Sequence, residues 1–238
     1  MRQPSSDDDR ITSGIPVISR RISDNWLWIA AALSLGISLT RWGPFLLYPF
    51  RLFTTWVHEC SHAVMTLLVG GHVNSIVIER NGSGVTSSLI PQSRVAQGLV
   101  ASAGYIGASI VGCGLMMAAR GRKAAHGILW AIGAFMLVTL IIWMRNLFGA
   151  GVVLIWSVAL IALSRKGRGP ASSFVLSLLA VQVALNSVFD VRVLFLISGG
   201  HSDAETMARL FLVPAWTWAS LWMLISIALL TWTLLRTR

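Results

Sequence analysis

The amino-acid sequence predicts an all-α polytopic membrane protein, with about seven transmembrane helices and one β-hairpin that is interfacial or re-entrant. Apolar residues make up 55% of the 238-residue chain and charged residues only 12%, about half the charged share of a typical soluble domain. The apolar residues also fall into runs of about 20, the length a helix needs to cross a bilayer. These observations favour a bundle of membrane helices over a soluble fold.

The net charge of +10 does not indicate a nucleic-acid partner, because most basic residues lie in short stretches between the apolar runs. Lys and Arg at such places orient helices and meet lipid headgroups. The expected partner of this charge is therefore the lipid bilayer. Arg51 lies within an apolar run, and its side chain is expected to extend towards the interface. The plasma membrane is the expected location, and the oligomeric state stays open.

The predicted organisation is a disordered polar tail over residues 1–25 and a membrane domain over residues 26–238. The tail has too few apolar residues to form a core of its own. A basic linker over 164–170 separates the fifth predicted membrane segment from the sixth. In chain order, the seven predicted segments are 26–40, 43–70, 95–118, 127–143, 147–163, 173–197 and 213–235.

Two segments carry clear local signals at their ends. The second begins at Gly43-Pro44, where proline suits a first helical turn, and it ends at Gly70-Gly71. The last contains several tryptophans, which are typical anchors at the membrane interface.

Residues 72–91 break the helical pattern. Two runs rich in β-branched residues flank Asn81-Gly82, a combination that predicts a β-hairpin. Because an open sheet edge cannot face lipid, the hairpin is expected at the interface or in a protein-lined cavity.

The second predicted segment contains His58-Glu59-Cys60-Ser61-His62, which fits the pattern H-E-x-x-H. On a helix, residues four apart share a face, so His58 and His62 can reach one metal ion. Glu59 follows the first of them and could act as general base on a water beside the metal. Two imidazoles, one further ligand and an open position are typical of a catalytic zinc site.

The membrane setting strengthens this interpretation. Ionisable side chains inside a membrane helix are costly and usually serve a function, and a divalent cation would offset the cost of placing these three together. The alternative is a polar contact that merely holds two helices together.

The predicted third zinc ligand is Asp190, the one carboxylate in a membrane segment of the second half of the chain. Its segment runs in the same direction as that of His58, and both residues lie at similar depth from the start of their helices. Pairing of Asp190 with Arg192 is the alternative. Asp203 and Glu205, in the sequence Ser-Asp-Ala-Glu, fit a capping box and are interpreted as the start of a helix.

These residues resemble the site-2 protease family of intramembrane zinc metallopeptidases, in particular the short B-type members without a PDZ domain. The resemblance is carried by H-E-x-x-H on a membrane helix, then Gly-Gly and a hairpin, then the small-residue-rich stretch 101–107. It implies that His58 and His62 bind zinc, that Glu59 is catalytic, and that Asp190 is the distant ligand. In better-known members that aspartate precedes glycine, whereas here it precedes valine.

The resemblance also implies an activity. It implies that one Zn²⁺ per chain and Glu59 together hydrolyse a peptide bond in a transmembrane protein substrate, with the hairpin helping to present an extended segment. The alternative is a proteolytically inactive scaffold or transporter that keeps a polar or metal-binding site within the membrane.

Overall fold

A computed structural model describes the backbone of residues 15–119, 122–166, 170–196 and 202–236, and the side chains of these ranges apart from 15–25, 122–123, 166, 170 and 187–196. Within these ranges the chain forms nine helices and one two-stranded sheet. The helices are α1 (Ile15–Ser38), α2 (Gly43–Leu46), α3 (Tyr48–Leu68), α4 (Arg94–Ala118), α5 (Arg122–Ile142), α6 (Leu147–Lys166), α7 (Pro170–Leu196), α8 (Asp203–Phe211) and α9 (Ala215–Arg236); the strands are β1 (His72–Ile78) and β2 (Gly84–Leu89).

The helical membrane architecture predicted from composition is confirmed. Four of the described helices are long and apolar enough to span a membrane, namely Arg94–Ala118, Ala124–Ile142, Leu147–Arg165 and Ala215–Arg236. Shorter apolar stretches occur in α1 and α7, at Trp26–Ser38 and Ala171–Asn186. Each of the seven predicted segments overlaps a helix, but the number that cross the membrane stays a prediction.

The first helix begins earlier than the sequence suggested. The helix α1 starts at Ile15, inside the stretch 1–25 that was predicted to be a polar tail, whereas residues 1–14 lie outside the described part. Pro16 is consistent with this start, because the fixed φ of proline suits a first helical turn. Proline also loses no hydrogen bond there, since an N–H in the first turn would have no acceptor within the helix.

The predicted hairpin is confirmed, with β1 and β2 antiparallel and Ile76 opposite Thr86. The turn is tight: the Gly82 amide donates to the Glu79 carbonyl at 3.0 Å. Gly82 has a φ of +85°, which only glycine adopts without strain. The glycine of the Asn-Gly pair is therefore required by the turn itself.

One edge of the sheet is closed by the α5–α6 connection. The Ile76 amide donates to the Trp143 carbonyl at 2.7 Å, and the Asn146 amide group donates to the Ile78 carbonyl at 2.7 Å. On the other side, β2 has no strand partner among the described residues beyond β1. Every second residue of β2, namely Gly84, Thr86 and Ser88, contacts α3, so the hairpin lies along that helix.

The helix α3 lies at the centre of the bundle, in contact with both strands and with α4, α6 and α7. Buried polar side chains hydrogen-bond between helices, as membrane interiors require. Trp56 Nε1 donates to Thr139 Oγ1 at 3.0 Å, and Asn186 Nδ2 donates to Thr54 Oγ1 at 3.1 Å. These bonds fix α3 against α5 and α7, and so fix the side chains it presents.

Candidate metal centre

His58 and His62 lie one turn apart on α3 and direct their rings to the same point. Their Nε2 atoms are 3.0 Å apart. The His62 side chain is 9% exposed and that of His58 20%, so the pair lies at the wall of a cleft and not at the surface. The predicted facing of the two histidines is confirmed.

Asp203 supplies the third group at this point. Its Oδ2 lies 3.3 Å from Nε2 of His58 and 3.3 Å from Nε2 of His62. Asp203 is the first residue of α8, whose start is capped by Ser202: the Ser202 Oγ accepts a hydrogen bond from the Glu205 amide at 3.2 Å. The predicted helix start and its serine cap are therefore confirmed, and the same helix start places Asp203 beside the histidines.

The three atoms have the spacing that zinc needs. Zinc binds imidazole nitrogen and carboxylate oxygen at about 2.0–2.2 Å, so two ligands of one tetrahedral site are roughly 3.3 Å apart. The three observed separations are 3.0, 3.3 and 3.3 Å. Two imidazoles with one carboxylate are also the donor set of a common type of catalytic zinc site. The residues present thus fit the ion.

The backbone of α4 sets the tautomer of His62. The Nδ1 of His62 lies 2.7 Å from the Val100 carbonyl oxygen. Because a carbonyl can only accept, Nδ1 carries the hydrogen, and in the neutral ring this leaves the Nε2 lone pair free towards the other ligands. Such a bond is the usual support of a metal-binding histidine.

Gly104 brings α4 close to the two rings. A Cβ atom at this position would collide with Nε2 of His58 and of His62. The next residue, Tyr105, packs edge-on against the His58 ring, with 4.8 Å between the ring centroids. It also stacks on Trp222 of α9, with 5.1 Å between the ring centroids. A glycine and an aromatic pair therefore form the wall behind the centre.

Glu59 lies beside the centre, between α3 and β2. It is 4% exposed, and the Thr86 hydroxyl donates to its Oε2 at 2.7 Å. A Cβ atom on Gly84 would approach the Glu59 Cγ to 2.6 Å, so the strand passes close to the carboxylate.

These groups open into one cleft of about 830 Å³. It is lined by α3, by β2 and the residues after it, by α4 and by the start of α8. His58, Glu59, His62 and Asp203 all line it, so the Glu59 carboxylate and the three candidate ligands share one space.

The model of the Peptidase M50B-like family matches residues 28–233. The chain belongs to this family. The matched range includes α3 with its H-E-x-x-H pattern, the hairpin, and α8 with Asp203. No curated protein and no solved structure matches the chain.

Membership of the M50B-like family, a group of zinc metallopeptidases, confirms the predicted resemblance and agrees with the donor set.

The surroundings of Asp203 favour its ionised form, which is the form that a carboxylate needs in order to bind a metal ion. Burial disfavours its charge, but the charges and hydrogen bonds of His62 and His58 outweigh that effect, and the pKa of Asp203 lies well below its ordinary value.

Asp190, the predicted third ligand, belongs to α7, but its side chain lies outside the described part of the chain. Its ligand role therefore stays a prediction. Asn186, one turn earlier, contacts Thr54, which itself lies one turn before His58. Among the described residues, the His, Cys, Asp and Glu side chains that could hold a metal together are His58, His62 and Asp203. In the sequence, the pattern Ser-Asp-Ala-Glu indicates only that Asp203 lies at a helix start.

Proposed function

We propose that the chain is an intramembrane zinc endopeptidase that hydrolyses a peptide bond in or near a transmembrane segment of a membrane protein. The observation that carries this proposal is the convergence of His58, His62 and Asp203 within 3.3 Å of one another, beside the buried carboxylate of Glu59. Metal ligands and a general base in one cleft are the parts that metal-assisted hydrolysis requires.

His58, His62 and Asp203 would hold one zinc ion per chain. When bound, zinc polarises a carbonyl oxygen and makes water acidic enough to attack at neutral pH. The hydrogen bond from His62 to the Val100 carbonyl holds one ligand ring in place, and the Ser202 cap holds the carboxylate. These supports preorganise the ligands before the ion binds.

Glu59 is the proposed general base and acid. Its carboxylate would accept a proton from the attacking water and later deliver it to the leaving amine. The Thr86 hydroxyl, 2.7 Å from Oε2, fixes the orientation of the carboxylate. Burial of Glu59 keeps bulk water from competing for the proton.

The free edge of β2 is the proposed support for the substrate. Residues of β2 line the cleft next to Glu59, and an extended segment could pair with the main-chain groups of this strand as an added strand. A transmembrane helix must first unwind locally, because its own hydrogen bonds shield each peptide bond. Gly or Pro near the cut would lower that cost.

A non-proteolytic scaffold or transporter was the alternative predicted from the sequence. His58, Glu59, His62 and Asp203 lie together in one cleft instead of forming a path across the bilayer, which favours the peptidase. The plasma membrane is part of the proposal, and membrane fractionation tests it.

The experiment compares wild type with Glu59→Gln in detergent, with zinc content and cleavage of a synthetic transmembrane peptide as the two readouts. The proposal expects about one zinc in both proteins and cleavage by wild type alone. Equal cleavage by both would remove Glu59 from the reaction. An absence of zinc from reloaded wild type would overturn the metallopeptidase.

A further inference from the structure

Arg51 marks one end of the cleft. It lies on α3 eight residues before Glu59 and on the side of the helix that lines the cleft. Among the residues that line the cleft it is the one Lys or Arg. The side chains near the other end, where β2 leads into α4, include the uncharged amides of Gln92 and Gln97. The two ends of the cleft therefore differ in charge.

The hairpin turn holds the Arg51 side chain. A Cβ atom on Gly82 would lie 2.8 Å from Arg51 Nε and 3.0 Å from its Cζ, so the guanidinium packs directly on the glycine. Thr55 fixes the same turn to α3, because its hydroxyl lies 2.8 Å from the Gly82 carbonyl oxygen. Arg51 is thus positioned by the fold as well as exposed to the cleft.

The guanidinium has no acidic partner in the part of the chain that the structure describes. The ion pairs there are those of Asp203 with the two histidines. An arginine that is oriented, exposed to a substrate cleft and without a carboxylate partner is suited to bind one from a ligand, since its planar donors match a carboxylate.

We propose that Arg51 binds an acidic side chain of the substrate about three or four residues from the scissile bond. This inference rests on the proposed function. Eight helical residues at about 1.5 Å each separate Arg51 from Glu59 by about 12 Å along α3. An extended chain covers that distance in about three or four residues.

The direction of β2 gives the side of the cut. Gly84 packs against Thr55 and Glu59, and Ser88 lies 3.3 Å from Thr66 Oγ1, so β2 runs parallel to α3. Antiparallel pairing is the commoner arrangement of neighbouring strands, and a substrate strand antiparallel to β2 would reach Arg51 with the residues that follow the cut. The Asp or Glu is accordingly placed on the C-terminal side of the scissile bond.

The test uses the zinc-loaded full chain in detergent and one transmembrane peptide with a glycine-containing cut region. A single Glu is moved through the positions around the cut, and each peptide is matched by one with Gln. Wild type is expected to cleave the Glu peptide with roughly fivefold higher kcat/KM at the third or fourth position after the cut. Arg51→Gln should abolish that difference, and Arg51→Lys should keep part of it.

Arg41→Gln is the matched control, because Arg41 lies just before α2 and outside the cleft lining, over the Trp42 ring. It should leave the preference for Glu intact. An equal loss with Arg41→Gln would assign the effect to the general positive charge of this part of the protein and overturn the inference, as would a preference that survives in Arg51→Gln.

Peptide binding to Glu59→Gln, measured by fluorescence anisotropy, separates this inference from the proposed function. Arg51-dependent tighter binding of the Glu peptide without cleavage by wild type would support the acid-binding role and overturn the peptidase. Cleavage by wild type with equal binding and turnover of Glu and Gln peptides would support the peptidase and overturn the acid-binding role of Arg51.

Discussion

Thr86 on β2 donates a hydrogen bond to the carboxylate of Glu59 on α3, at 2.7 Å. The hairpin therefore contacts the proposed general base as well as the cleft. The strand that would pair with a substrate and the carboxylate that would act on it are joined through one side chain.

Thr86→Val tests this contact. Without the hydroxyl the Glu59 carboxylate loses an oriented donor, and kcat is expected to fall roughly tenfold while zinc content stays unchanged. Thr86→Ser keeps the hydroxyl and should retain most of the activity. If the Thr86→Val and Thr86→Ser variants cleaved the peptide with the same kcat, the hydrogen bond would have no catalytic role.

Asp203→Asn and Asp190→Asn distinguish the two candidates for the third ligand. The geometry predicts that Asp203→Asn lowers zinc affinity by more than the roughly 10- to 100-fold cost of losing a residue that only supports a ligand. Asp190→Asn should change it less. Competition with a chelator measures both affinities, and the opposite ranking would restore Asp190 as the ligand.

Gly104→Ala is expected to abolish high-affinity zinc binding, because the new methyl group would occupy the space of both histidine Nε2 atoms. Gly114→Ala on the same helix is the control, since a Cβ there meets nothing within 4 Å. Zinc stoichiometry and thermal unfolding of both variants check the prediction. A Gly104→Ala protein that kept its zinc would show that the centre has room to move.

Ser202→Ala removes the cap that positions Asp203. Loss of an N-cap costs about 1 kcal/mol of helix stability, and here the loosened helix start carries a ligand. Zinc affinity is expected to fall roughly fivefold. Ser93→Ala, which removes the equivalent cap of α4, provides the comparison. Equal zinc affinities in the two variants would contradict a role for the Ser202 cap in the centre.

The contrast between His62 and Asp203 shows what could be predicted from the sequence. His58, Glu59 and His62 lie within five residues, so helical spacing alone determines their geometry. The hairpin was equally local, since Asn81-Gly82 and its flanking β-branched residues define it. Both features were therefore accessible without tertiary information.

Asp203 lies far along the chain from the histidines, and its local signal was already explained by the capping box. The short helix α8 is not a predicted membrane segment, so its carboxylates have no predicted depth that could be matched to that of His58. No sequence periodicity indicates that α8 places its first residue against α3. That relationship arises from packing of α8 on α4 and α9.

The hydrogen bonds of Asn146 and Trp143 to β1 have a consequence for how the sheet meets its surroundings. They occupy the main-chain groups of Ile76 and Ile78 that would otherwise recruit any neighbouring extended chain. Growth of the sheet is thereby restricted to the strand beside Glu59. A polypeptide that joins this sheet would therefore lie beside Glu59 and the candidate metal centre, because the protein's own α5–α6 connection already occupies the other edge.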